Sequence, residues 1–87
     1  MAWVYILRGS TGRHYIGSTT NLERRLAEHQ RGHTHTTKRL GLALQLVESL
    51  ELSSLAEART FERELKAKKN PKLALYLLLA RKTNPSV

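Results

Sequence analysis

The chain has no cysteine, which removes both a disulfide framework and a thiolate zinc site and leaves packing to hold the fold. Long apolar runs are missing too, since no stretch approaches the ~18 uninterrupted apolar residues of a transmembrane helix. The start, Met1-Ala2-Trp3-Val4-Tyr5-Ile6-Leu7, has no basic lead and too short an apolar segment for a signal peptide. The expectation is a soluble cytoplasmic protein with no membrane role. Acid is scarce and confined. Fifteen Lys and Arg against seven Asp and Glu give a net charge of +8, and every acid falls between Glu23 and Glu64. From Leu65 onward stand Lys66, Lys68, Lys69, Lys72, Arg81 and Lys82 with no acid. Such a surface attracts a polyanion and makes its binding strongly salt-dependent, so nucleic acid is the expected partner. The alternative is a solubilising basic face.

Internal repeats and low-complexity segments are also lacking. With 87 residues, 40% hydrophobic and 25% charged, the chain has the composition of a folded domain and not of a disordered basic tail. The core is small, because folding at this size buries only ~60% of the surface that the unfolded chain exposes. One domain over residues 1–82 is expected, with 83–87 a loosely held tail.

The order of elements follows from pattern and turn chemistry. The apolar run at 2–8, the turn residues Gly9-Ser10-Thr11-Gly12 and the run His14-Tyr15-Ile16-Gly17 predict a β-hairpin, with Gly9 and Gly12 free to take positive φ. Thr20-Asn21-Leu22-Glu23 matches a capping box with Thr20 as cap and predicts a helix from about Leu22 to Arg31. Gly32 ends it, and the segment from His33 to Arg39 reads as a loop. A third strand is expected over 42–50. Ser54-Leu55-Ala56-Glu57 opens a second helix to Lys68 or Lys69, and Asn70-Pro71 caps a final helix through Arg81. That helix is apolar almost all round, so either the sheet and a helix cover it on two sides or part of it is an oligomer face, a homodimer among the possibilities. The fold class is α/β (α+β sandwich), a small three-stranded antiparallel sheet flanked by three or more helices.

Several side chains have the means to do chemistry. On a helix, Leu22, Arg25, Leu26 and His29 fall at i, i+3, i+4 and i+7, so Arg25 and His29 share the inward stripe. A guanidinium at the core margin is costly unless it meets an anion, and its fork of donors suits phosphate. A structural salt bridge from Arg25 to Glu62 or Glu48 accounts for it equally well on spacing. Tyr5 and Tyr15 read on composition as half-buried strand tyrosines. A phenol poised by a cation or a metal-bound water can also deprotonate the water that a phosphodiesterase needs. Glu62 lies at the edge of the stripe Ala58, Phe61 and Leu65 between Arg59 and Lys66, where a surface Glu-Lys pair is the plain explanation. One carboxylate with several waters and a phosphate oxygen would also hold Mg²⁺. His33 and His35 lack the further spaced ligands of a zinc site and suit phosphate or water instead. With Arg13, Lys38, Arg39, Lys66 and Lys69 they are the candidate nucleic-acid contacts.

The order Val4-Tyr5, Tyr15-Ile16-Gly17, Arg25, His29 and Glu62 resembles the GIY-YIG nuclease domain over nearly the whole chain. Tyr15-Ile16-Gly17 is a full match to the second motif, and Trp3 stands where the first expects glycine. The likeness is to the small stand-alone bacterial type, similar to the N-terminal nuclease domain of the excision-repair excinuclease. It implies a three-stranded antiparallel sheet with flanking helices, and a metal-dependent DNA endonuclease, structure-specific and linked to repair or recombination. By that resemblance Tyr5 is the general base, Tyr15 positions water and phosphate, Arg25 stabilises charge on the phosphate, and His29 carries a proton or contacts phosphate. Glu62 binds one divalent ion, Mg²⁺ or Mn²⁺. Asn70 is the one candidate for the asparagine that many members carry after the metal glutamate. Lacking appended domains, such a chain would recognise DNA shape weakly or rely on a partner protein. The alternative is a non-catalytic nucleic-acid-binding module with the same fold.

Overall fold

Glycine at position 12 lets the first two strands fold back on each other: its φ of 84° is a conformation that side chains with a Cβ rarely adopt. The Gly9 amide donates to the Arg13 carbonyl and the Gly12 amide to the Gly9 carbonyl, closing the turn. A computed structural model describes residues 1–30 and 44–83. Strand β1 is Ala2–Arg8, β2 His14–Thr19, helix α1 Leu22–Gln30, β3 Gln45–Leu52, α2 Leu55–Ala67 and α3 Pro71–Thr83. The strands form one antiparallel sheet in the order β2-β1-β3, so the expected three-stranded α+β architecture stands. β1 is central. The loop expected over 33–39 and residues 84–87 of the expected tail lie outside the described residues.

Strand alternation divides the work of the sheet. Val4 and Ile6 are buried with Phe61 and Leu65 of α2 and Ala74 and Leu78 of α3, so that face carries the apolar core. Tyr5, pointing the opposite way, meets α1 through His29. A bulge between Ile6 and Leu7 shifts the β1–β3 register: Ile6 faces Glu48 while Leu7 faces Leu46. Glu48 then takes Lys82 of α3 at 2.6 Å, and that ammonium holds its carboxyl below the usual range.

Local chemistry sets the helix ends. Ser54 accepts from the Glu57 amide at 3.1 Å, while the Glu57 carboxylate reaches back to Ser53. Asn70 accepts from the amides of Lys72 and Leu73, as a cap before a first-turn proline should. Between the helices Lys69 takes a left-handed φ of 54°, ending α2 where glycine is more common. Three expectations need correction. The cap of α1 is Asn21 and not Thr20: Asn21 Oδ1 accepts from the Arg24 amide at 3.1 Å, and the Thr19 hydroxyl accepts from the Asn21 amide. β3 begins after Leu44 and runs two residues past Leu50, and α3 continues beyond Arg81 to Thr83. The final helix buries only Ala74 and Leu78 fully and leaves Leu73, Tyr76 and Leu79 exposed.

Candidate active site and nucleic-acid interface

Antiparallel register brings the two tyrosines together. Tyr5 pairs with Gly17 and Leu7 with Tyr15, so Tyr5 and Tyr15 lie diagonally on one face of neighbouring strands with ring centroids 6.2 Å apart. Helix α1 supplies the third ring: His29 is 5.7 Å from Tyr5 and 5.1 Å from Tyr15, both edge-on. Tyr5 Oη and His29 Nε2 are 2.8 Å apart, and both side chains are within 1% of full burial. His29 Nδ1 is also shielded and has no hydrogen-bond partner among the described residues, so the contact with Tyr5 governs the tautomer.

Glycine in Tyr15-Ile16-Gly17 has a steric reason. A Cβ at Gly17 would stand 2.5 Å from Tyr5 Oη, 2.7 Å from its Cζ and 2.9 Å from a Tyr15 ring carbon. The Tyr5 phenol therefore lies directly over the bare Cα of its cross-strand partner. Gly17→Ala is expected to cost about 1–3 kcal/mol by overpacking, read as a fall in melting temperature of about 4–8 °C per kcal/mol. An unchanged melting temperature would show that Tyr5 has room to move.

Burial and charge tune these groups. Burial pushes the Tyr5 phenol up to about 12, opposed by the Arg25 guanidinium close to its oxygen. Hydrogen bonding to Tyr5, and more weakly to Tyr15, raises Arg25 in turn. His29 is held below its ordinary 6.5, first by burial and then by the charge of Arg25. The unfolded chain thus takes up that proton at higher pH than the folded one. The contribution of neutral His29 to stability is complete above about 6.5 and is lost as pH falls through the lower folded value. Denaturant titrations from pH 7.5 to 5 should show this slope in the wild type and a shallower one in His29→Gln. Equal slopes would discard the assignment.

The salt bridge to Glu62 or Glu48 that was the alternative account of Arg25 does not form. The partner of Arg25 is Glu28, 3.5 Å away, and Glu28 also takes Arg24 at 3.6 Å. Glu62 belongs to a different set of contacts. It accepts a hydrogen bond from the Ser18 hydroxyl on β2 and takes the Lys66 ammonium at 2.7 Å, while that ammonium stands 5.9 Å from the Tyr15 ring centroid. The carboxylate is therefore tied to edge strand β2, beside Tyr15.

Three surface pockets run past Arg25, Glu62 and Tyr15 as one tract. The first, about 310 Å³, includes Ser18, Arg24, Arg25 and Arg59; the second, about 340 Å³, is formed by Arg59, Glu62, Arg63 and Lys66. The third, about 310 Å³, extends from Lys66 to Lys69 and His14. Arg59 is common to the first two and Lys66 to the last two. Of the expected nucleic-acid contacts, Lys66 and Lys69 lie on this tract. Arg13 is exposed in the hairpin turn beside His14, and His33, His35, Lys38 and Arg39 lie outside the described residues. Asn70 caps α3 and also lines the third pocket. Ser18, Arg59 and Arg63 are site residues that sequence pattern did not single out. The signal for the two arginines was present, since Arg59, Arg63 and Lys66 fall at i, i+4 and i+7 on α2.

Residues 1–74 match the family model of the GIY-YIG catalytic domain. The chain belongs to the GIY-YIG family. Over 76 residues it is 37% identical to a UPF0213 protein of Streptococcus pneumoniae serotype 4, covering 87% of this chain and 77% of the relative. A second pneumococcal UPF0213 protein, from strain R6, is 36% identical over the same shares. The solution NMR structure of the UPF0213 protein BH0048 from Bacillus halodurans is similar at a TM-score of 0.51 and 32% identity, over 86% of this chain and 85% of that one. GIY-YIG domains are generally nucleases, and nucleic acid is the substrate the family implies. In this GIY-YIG domain Trp3 occupies the usual glycine position of the first motif, where it lines a surface pocket with Leu22 and Leu26 of α1. No helix among the described residues is long and apolar enough to cross a membrane.

Proposed function

We propose that this protein is a metal-dependent DNA endonuclease that hydrolyses a phosphodiester bond at the Tyr5, Tyr15, Arg25 and His29 cluster, in repair or recombination. The observation that carries this reading is the 2.8 Å contact between Tyr5 Oη and His29 Nε2, a phenol and a neutral imidazole buried together beside a guanidinium. A phenol pushed up to about 12 is a strong base once it has lost its proton, but it needs an acceptor for that proton. Neutral His29 is that acceptor. With the ring proton on Nδ1, Nε2 takes the Tyr5 proton as Oη takes one from the attacking water. Arg25 offsets the negative charge on the phenol and on the phosphate, and Tyr15 orients water and phosphate from the neighbouring strand.

Glu62 is the residue that would hold the divalent ion. Among the described residues no group of three or more His, Cys, Asp or Glu could enclose a metal. A single half-buried carboxylate, already fixed by Ser18 and already accepting the positive charge of Lys66, fits Mg²⁺ or Mn²⁺ that keeps several waters and a substrate phosphate. When bound, such an ion supplies Lewis-acid stabilisation of the phosphate and leaving oxygens. Ser18 orients the carboxylate, and Lys66 must give up its place on Oε2 or share it.

Cleavage of labelled single-stranded, duplex, flap and branched DNA with Mg²⁺, Mn²⁺ or EDTA tests the reading, with Glu62→Gln as the site control. The wild type should nick at least one substrate only with metal, and Glu62→Gln should lose that activity while still binding. Binding without cutting under every metal condition would leave a nucleic-acid-binding module as the better account.

A further inference from the structure

The third pocket is unlike the rest of the tract. Between β2 and the α2–α3 junction, its walls come from the Tyr15 ring, Ile16, Leu65 and Pro71, while Lys66 and Lys69 bring two exposed ammonium groups to it. At about 310 Å³ it has room for a planar heterocycle. His14 is part of the lining, and its Nδ1 is shielded from solvent with no hydrogen-bond partner among the described residues. Its walls suit an apolar ligand face, its unpaired imidazole nitrogen suits a polar ligand edge, and its cations suit phosphates on either side. An unstacked nucleotide has all three features. The location adds a further argument: Tyr15 and Lys66 belong both to the pocket and to the cluster of reacting groups, through the Tyr15–His29 ring contact and the Lys66–Glu62 pair. A strand whose phosphates follow Arg25, Arg59, Arg63 and Lys66 would bring its next nucleotide to this opening.

We infer that this pocket receives one unpaired nucleobase flanking the scissile phosphate, and that the protein thereby selects nucleic acid with an unstacked nucleotide at the cut site. The inference rests on the proposed nuclease activity and deepens it. A base within a continuous duplex stack cannot enter, so the pocket discriminates by structure and not by sequence. Its exposed wall is mostly apolar, so stacking dominates the contact and any base can supply it.

The test measures binding in EDTA of two DNA duplexes that differ only in a single-nucleotide bulge, using wild type, Ile16→Phe to fill the pocket and His14→Ala to remove its polar group. The bulged duplex should bind the wild type about 10-fold more tightly than the paired one, the scale of stacking one base. That ratio should fall towards one in each variant that circular dichroism shows to be folded. The paired duplex is the internal reference. Equal wild-type affinities, or a preference that survives in both variants, would overturn the pocket assignment while leaving the nuclease reading intact. Failure to bind either duplex, together with failure to cut any substrate with metal present, would overturn both.

Discussion

Tyr5→Phe is expected to slow DNA cleavage by about 10²–10⁴-fold, the usual contribution of a positioned acid–base group, while the protein still folds. Phenylalanine keeps the ring that fills the space over Gly17 and beneath His29. What it removes is Oη, and with it both the proton acceptor for water and the hydrogen-bond partner of His29 Nε2. Leaving that buried nitrogen unpaired costs about 1–3 kcal/mol, so a modest fall in melting temperature should accompany the loss of rate. Alkaline pH offers an independent check. The folded phenol has its pKa raised from 10.0 to about 12, so its stabilising effect is complete below about 10 and is lost as pH rises towards 12. Wild type should lose stability across that window and Tyr5→Phe should lose less. A variant that cuts at the wild-type rate would remove Tyr5 from the chemistry.

Arg25→Ala should cost about 3–4 kcal/mol of transition-state stabilisation, or roughly 10²–10³ in rate, on the scale of other preorganised electrostatic groups. Its effect on folding should be smaller. The pair it makes with Glu28 is long and partly exposed on both sides, and such pairs contribute about 0–1 kcal/mol. The Tyr5 phenol that also receives the guanidinium keeps its bond to His29 when Arg25 is gone. The two readouts therefore separate: single-turnover rates should fall steeply while the denaturation midpoint barely moves. Arg25→Lys should recover only part of the rate, because an ammonium cannot address a phenol oxygen and a phosphate with a planar fork of donors. A variant that loses stability in proportion to its loss of rate would mark Arg25 as a structural residue instead.

Much of this was legible in the sequence because the relevant physics is local. Gly12 closes the hairpin, the hairpin sets the register, and the register puts Tyr5 beside Tyr15. The inward stripe of α1 was equally readable: His29 is its one buried residue, with Leu22, Arg25 and Leu26 at intermediate exposure. Thr20 and Asn21 are adjacent cap-forming residues, and only the Thr19 hydroxyl on the Asn21 amide decides between them. Leu-rich β3 carried too little alternation to mark its ends, and the register shift at Ile6/Leu7 depends on its pairing with β1. Ser18 and Glu62 meet across 44 positions of chain, so their contact exists only once α2 has packed on the sheet. The spacing of Arg59, Arg63 and Lys66 shows one basic face on α2, but nothing local says that this face borders β2.

Tyr5 sits on the central strand at 0% exposure, whereas Arg59, Arg63, Lys66 and Lys69 are exposed on helix α2 or just past its end. Evolvability divides along that line. A change at position 5 is judged twice, once for filling the interior and once for its hydroxyl, so few substitutions can pass. Changes at Arg59 and Arg63 disturb no buried packing and are judged chiefly on ligand choice, whereas Lys66 also holds Glu62. On the proposed function, a lineage with this architecture can drift from one nucleic-acid target to another while its reaction stays fixed.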